Sequence, residues 1–432
     1  MPMRREPDEI RTQRGAAMSQ LDLTLAVAAG VVLLLGVASR LLKRSPFQES
    51  LVAVLVGLAV GPFALGLIDV AAWGEEPRVL EQAARFTLAI GLMGVALRLD
   101  KAGLRRLGRP IGWLLTAGML GMWLASSALA AWLLGLSVWT ALLVGAVITP
   151  TDPVVASSIV TGDFAKSHLP ERVRDTVSAE SGANDGLAYL FVTLPIVVLS
   201  ADVADPLRRF VVERLLVGVG LAVIVGVGVG WLAASLLARA KRHGLIESHS
   251  LLTYTVALSL LTLGLAALAR ADALISVFLA GLVFNLRSDI TQQHQEENIQ
   301  EAVNKLFTLP MFVILGAALP LDAWAAIGWP LLAFVVAVLA LRRPLVLAAL
   351  APVLKRPLVP RDVAFLGWFG PIGVAAIYYA AYCWHHLDDP TAWHAASAAI
   401  FASIIAHGAT TSGLTRAYAR REERSPGAGG RG

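Results

Sequence analysis

The chain has 432 residues, 56% of them hydrophobic and 16% charged, with a formal net charge of +5. Soluble domains carry about 25% charged residues, so this composition, with a mean hydropathy of +0.68, excludes a soluble protein and points to a polytopic membrane protein. The basic residues stand in short clusters between apolar runs with no interleaved aromatics, which argues against nucleic acid as a partner and for membrane lipids.

A polar leader of mixed charge occupies residues 1–20, and the apolar run after it is long enough to span, so no cleaved signal peptide is expected. Either Met1 or Met18, which stands just before that run, can serve as the start. Thirteen apolar windows follow, near 21–42, 47–71, 82–98, 109–135, 138–160, 173–200, 211–238, 249–269, 271–288, 303–320, 328–353, 361–385 and 393–415. Windows of roughly 17 to 27 residues at 1.5 Å per residue cross a hydrocarbon core of about 30 Å. Lipid leaves backbone groups no outside partner, so helices are expected throughout, in one transmembrane domain over 21–415. The tail, 416–432, is short, charged and Gly-rich, and is expected to be disordered. The single cysteine, Cys383, cannot form an internal disulfide.

Lys and Arg collect in alternate connections: Arg40, Lys43 and Arg44; Lys101, Arg105, Arg106 and Arg109; Lys166, Arg172 and Arg174; Arg239, Lys241 and Arg242; Lys355, Arg356 and Arg361; and the tail. The intervening segments LGLSVW, LPLDAWAAIGWP and WHHLDDPTAWH hold neither residue. The first set is therefore expected in the cytoplasm, which puts the C-terminus inside and, for an odd helix count, the N-terminus outside a cell inner (plasma) membrane. Arg4, Arg5, Arg11 and Arg14 in the leader and Arg208, Arg209 and Arg214 run against this pattern, but more connections agree with it.

Three windows contain groups that lipid should forbid, since an ionisable side chain at the bilayer centre costs at least about 2.5–3.5 kcal/mol. In ALLVGAVITPTDPVVASSIV, Pro150 and Pro153 each remove a backbone donor and should unwind the helix around Thr151 and Asp152. Freed carbonyls beside a carboxylate form a ready cation site; the alternative is a proline kink with Asp152 as a cap. In VSAESGANDGLAYLFV, Ser181 and Asp185 lie four apart on one face, with Glu180 and Asn184 in a row beside them. Asp152, about 12 Å from one end of its helix, and Asp185, about 18 Å into the next, reach similar depth near the midplane. The alternative treats SGANDG as a turn. In VLALRRPLVLAAL, Arg343 lies about 15 Å deep, where Glu180 is the best-placed carboxylate to neutralise it; the alternative is that Arg342 and Arg343 snorkel.

Other polar residues read more plainly. Glu81 and Arg85 are expected to form a solvated i,i+4 pair, and His407 and Asn285 to be satisfied by hydrogen bonds. There is no zinc-ligand spacing, phosphate loop or nucleophile elbow, so no enzyme activity and no cofactor are expected.

The segments TPTDPV, AESGANDG, LLTYTVAL, ISVFLAGLVFN, FTLPMFVILGAALP, RRPLVLAAL and GWFGPIGVAAIYYAAY resemble the monovalent cation:proton antiporters of the NhaP and NHE type, over residues 47–415. The resemblance implies an all-α fold of about thirteen helices with inverted repeats and two unwound helices crossing near the midplane, in a homodimer. It implies that Asp185 alternately binds a proton and a cation, and that Asn184 stands where electrogenic exchangers have a second aspartate, hence electroneutral exchange. Thr151, Asp152 and Ser181 resemble residues lining the cation site, and Glu180 with Arg343 the structural ion pair between core helices. One departure is Ile372, where many relatives read GPRG and carry arginine. The expected function is exchange of Na+, or Li+, for H+ in pH and sodium homeostasis, with K+/H+ exchange the rival. An intramembrane aspartyl protease, which also uses two aspartates, would show YD and GxGD rather than TDP and NDG.

Overall fold

The computed structural model describes residues 7–38, 48–153, 155–200, 205–245, 250–288 and 293–423. Arg4, Arg5, Arg40, Lys43, Arg44 and the tail beyond 423 lie outside the described residues, whereas 416–423, expected to be disordered, continue the last helix. Within them the regular structure is helical: α1 (Pro7–Val37), α2 (Glu49–Val60), α3 (Glu76–Arg98), α4 (Lys101–Leu134), α5 (Val138–Val147), α6 (Ser157–Val160), α7 (Gly162–His168), α8 (Glu171–Leu199) and α9 (Pro206–Arg242). There follow α10 (Ser250–Leu268), α11 (Ala273–Arg287), α12 (Gln293–Ala317), α13 (Leu321–Ile327), α14 (Trp329–Leu354), α15 (Pro360–Trp368), α16 (Val374–Leu387) and α17 (Thr391–Glu423).

Local sequence explains where these helices start and stop. Asp100 accepts the Gly103 N–H at the head of α4, Ser137 that of Thr140 at the head of α5, and Asp272 that of Ile275 at the head of α11. Each satisfies one of the donors that a helix start leaves unpaired. α3 opens on Glu76 and Pro77 and closes on Arg98, placing each charge at the end of the helix dipole that it complements. α4 ends where Gly135 turns left-handed, at φ 65°.

Among the described residues, six helices are long and apolar enough to cross a membrane, within Gln20–Val37, Glu76–Arg98, Lys101–Leu134, Glu171–Leu199, Pro206–Arg242 and Trp329–Leu354. The bent pair Glu301–Ala317 and Leu321–Ile327, folded by 57°, makes a seventh if taken as one span. Other apolar windows are shorter helices or are interrupted part-way. The window at 138–160 stops at Ile148 and runs irregularly through Pro150 and Pro153; that at 361–385 is unwound over 369–373, between α15 and α16. These two irregular stretches touch, the Asp152 N–H donating to the Pro371 carbonyl at 2.8 Å.

Helices pack closely where small residues face each other. α2 and α12 meet at Gly57 and Gly316, where a Cβ on Gly57 would strike the Val313 carbonyl and one on Gly316 the Val54 carbonyl. α9 lies on α11 in the same way, with Gly226 over Ser276 and Gly230 over Ala280.

Two groups of polar side-chain contacts mark two ends of the bundle. At one, Arg106 meets Glu171, Arg172 meets Asp362 and Glu422, and Arg361 meets Glu422, joining α4, α8, α15 and α17. At the other, the His385 ring of α16 donates from Nδ1 to Glu81 of α3 at 2.7 Å and accepts the Arg78 Nε–H at Nε2. The expected solvated Glu81–Arg85 pair is not formed: Glu81 is buried against α16, and Arg85 donates to Gln82. His407 and Asn285 are hydrogen-bonded to backbone carbonyls, as their isolation in apolar helices requires.

Candidate functional site

α8 runs unbroken through SGANDG, which rules out the turn reading and puts Glu180, Ser181, Asn184 and Asp185 on successive turns of one buried helix. Gly182 lies against Val95 and Phe278, and Gly186 against Ile275, which brings α8 close to α3 and α11.

Glu180 and Arg343 form a two-pronged ion pair, Nη1 to Oε1 at 2.7 Å and Nη2 to Oε2 at 2.6 Å, both side chains almost wholly buried. Arg343 Nε also donates to the Leu366 carbonyl at 2.7 Å. Such a pair tolerates burial because each charge is matched and its remaining hydrogen-bonding groups are used. Asn184 extends the network: its Nδ2 donates to Glu180 Oε1 at 3.2 Å and to Thr151 Oγ1 at 2.8 Å, and its Oδ1 accepts the Thr151 N–H at 3.1 Å. The amide thus clamps the unwound stretch after α5 onto α8.

Asp152 faces the opposite way along that stretch. Its Oδ1 accepts the Val155 N–H at 3.0 Å and its Oδ2 the N–H of Val374, the first residue of α16. The site therefore uses a carboxylate to cap a broken helix. Asp185 is different in kind. It is fully buried, and neither carboxylate oxygen has a hydrogen-bond partner among the described residues. Its backbone carbonyl, by contrast, accepts the Tyr379 hydroxyl at 2.7 Å.

Between these two acids lies a cavity of about 10 Å³, lined by Thr87, Leu88, Gly91 and Leu92 of α3 with Asp152, Pro153, Asp185 and Val374. That volume admits about one water-sized sphere. Thr151 and Asn184 stand beside the cavity rather than in its wall, and the Ser181 hydroxyl donates back to the Val177 carbonyl at 2.6 Å. A larger recess of about 430 Å³ opens at the Glu81 end of the bundle, but none of the candidate residues lines it.

The structure also brings in residues that the sequence reading left out. Thr87 and Gly91 approach from α3, and Tyr379 from α16; the i,i+4 spacing of small residues in TLAIG is a signal for close approach, but nothing local marks its target. Arg342 and Arg343 are both buried, so neither snorkels. A π-helical stretch over Val338–Arg342, just ahead of Pro344, re-aims the helix so that these neighbours both point inward.

The family described as "Sodium/hydrogen exchanger, transmembrane" matches residues 29–417. The chain belongs to this family. It is 30% identical over 362 residues to a Na+/H+ antiporter of Saccharomyces cerevisiae, covering 79% of this chain and 36% of that protein. It is 29% identical over 306 residues to the K+/H+ antiporter NhaP2 of Shewanella oneidensis, covering 69% of this chain and 50% of that protein. The chain thus spans half or less of the length of these two relatives. Its fold matches the sodium proton antiporter MjNhaP1 of Methanocaldococcus jannaschii, with a TM-score of 0.72 at 19% identity over 92% of this chain and 98% of that one. The chain is therefore a membrane-embedded, all-α member of a transporter family with the antiporter fold.

Proposed function

We propose that the protein is a secondary antiporter exchanging a monovalent cation, Na+ or Li+, for H+ by alternating access, one for one. The observation that carries this reading is the Asp185 carboxylate, buried with no hydrogen-bond partner among the described residues beside a cavity of single-ion size. A lone buried carboxylate demands neutralisation, by a proton or by a cation, and holding one excludes the other. Competition for that one group couples the two fluxes once the site opens alternately to either side.

The other residues take supporting roles. Asp152, anchored by two backbone N–H groups, supplies a second fixed oxygen donor opposite Asp185. Thr151 is a further oxygen donor held nearby by Asn184, and Ser181 contributes once its hydroxyl rotates away from Val177. Asn184 is already committed to Thr151 and Glu180 and carries no titratable proton, which favours electroneutral exchange. Glu180 and Arg343 hold the helices together. Sodium is cargo, and no cofactor enters the scheme.

The reading includes a place in the cell inner (plasma) membrane with the N-terminus outside and the C-terminus cytoplasmic. The clustering of Arg106, Arg172 and Arg361 at one end of the bundle supports this sidedness. Assembly as a homodimer in lipid rests on the family alone. K+/H+ exchange is the second reading, favoured by the Shewanella relative, since the same carboxylate can trade its proton for either ion. Dye-monitored exchange by the purified chain in liposomes, with Na+, Li+ and K+ over a range of pH, tests both. Proton movement driven by Na+ or Li+ supports the first reading and movement driven by K+ alone the second. Movement with none of the three overturns exchange.

A further inference from the structure

Arg342 is a buried arginine whose charge is matched by no acid: it is 2% exposed and takes part in none of the ion pairs among the described residues. Its partners are backbone carbonyls. Nη1 donates to the Ile148 carbonyl, and Nη2 to the Gly370 carbonyl at 2.8 Å. Ile148 closes α5, and Gly370 lies just past the end of α15, so one guanidinium caps the C-terminal ends of both broken helices at their crossing. Each such end carries roughly half a negative charge, so a single arginine offsets about two of them. The crossing is thereby charged in two layers: Arg342 on the carbonyl ends, and Asp152 on the N–H end of α16.

We propose that Arg342 is a positioning residue of the exchange site, a fixed positive charge that sets how strongly Asp185 and Asp152 attract any cation, proton or metal. It does this without touching either acid. Ile148 is joined to Asp152 through a few residues of irregular chain, and Gly370 is bonded to Pro371, whose carbonyl accepts the Asp152 N–H. The π-helical stretch ending at Arg342 is what allows Arg342 and Arg343 to divide their work, the one on carbonyls and the other on Glu180. The same site offers a second seat for this charge at Ile372, buried in the same unwound stretch with its N–H on Ser403.

The proposal deepens the exchange reading and rests on it for its effect on transport, but its effect on ion binding is measured separately. Three variants decide it in the whole 432-residue chain: Arg342→Gln, which keeps a donor and removes the charge; Arg342→Lys, which keeps the charge; and Arg342→Gln with Ile372→Arg, which returns the charge to the crossing. Two readouts are taken over a range of pH, exchange in liposomes and the rise in melting temperature on adding Na+ in detergent. Without the positive charge the site holds protons more tightly. Arg342→Gln should then displace both pH profiles by about one unit to the alkaline side. At pH values where the site has lost its proton, it should bind Na+ with a lower apparent KM. Arg342→Lys should keep the profiles of the unaltered protein, and Ile372→Arg should bring the Arg342→Gln profile back.

A merely structural arginine would lower the melting temperature without moving the pH profile. A folded Arg342→Gln protein with unmoved profiles overturns the proposal, as does a displacement that neither Arg342→Lys nor Ile372→Arg corrects. Should Arg342→Gln alone not accumulate, the doubly substituted protein decides, since its profiles return to those of the unaltered chain only if charge at the crossing is what matters. Absence of exchange by the unaltered protein would overturn the antiport reading instead, leaving the Na+-dependent melting shift to judge Arg342.

Discussion

The carboxylate of Asp152 accepts the backbone N–H of Val374, 222 positions further along the chain. An acid on one broken helix thus caps the start of the other. The bond fastens the two interruptions to each other, and it turns the acid that prolines expose into part of the wall around Asp185.

Replacing Asp152 by asparagine should weaken this cap by about 2 kcal/mol, because a neutral group replaces a charge-assisted acceptor. Cation KM in the liposome assay is expected to rise at least about tenfold with the fold intact. Gly373→Ala should act in the same direction, since a Cβ there would occupy the space of the Asp152 carboxyl group. An unchanged KM in both variants would remove Asp152 from the site.

Asp185→Asn should insert and melt normally, as its side chain has no hydrogen bond to lose among the described residues. Cation-driven proton movement is expected to fall to the level of empty liposomes, because an amide cannot release a proton at any working pH. Retained exchange would sink the mechanism.

Glu180→Ala leaves Arg343 buried and unmatched, a loss of about 3–5 kcal/mol. Low yield and a depressed melting temperature are expected, with partial recovery when Arg343→Met is added. Purely additive losses in the double variant would show that the two residues do not act as a pair.

The Gly57 and Gly316 contact should be intolerant of bulk. Gly316→Val forces α2 and α12 apart, since even the first carbon of the new side chain meets the Val54 carbonyl. Detergent-extracted protein should melt several degrees lower, with any residual exchange keeping the ion preference of the unaltered chain; an unaltered melting temperature would contradict the packing described.

Much of the fold was legible because lipid restricts the choices. Runs of Leu, Ala and Val that leave backbone groups no outside partner have to be helical, and Pro150 and Pro153 mark a break because they lack donors. Continuity through SGANDG was legible from the apolar residues on its far side. The unwinding over 369–373 was less so, since GWFGPIG holds one proline and several glycines and is compatible with a kink as much as with a break. Glu81 misled for a related reason. Spacing placed Arg85 beside it on the same helix, whereas His385 reaches it across 304 residues of sequence.

By itself the sequence determined that this is a helical membrane protein with acids and arginines buried at similar depth, because hydropathy, proline chemistry and helical rise are local properties. Matching depth already pointed to the pairing of Glu180 with Arg343; what the other charges meet, only the tertiary structure decided. Asp152 is spent on a helix start, Glu180 on Arg343, and Arg342 on two helix ends, each through partners on another element. Asp185 alone of these four is left with no partner for its side chain among the described residues, a fact that follows from how the helices pack and from nothing adjacent to it in the chain.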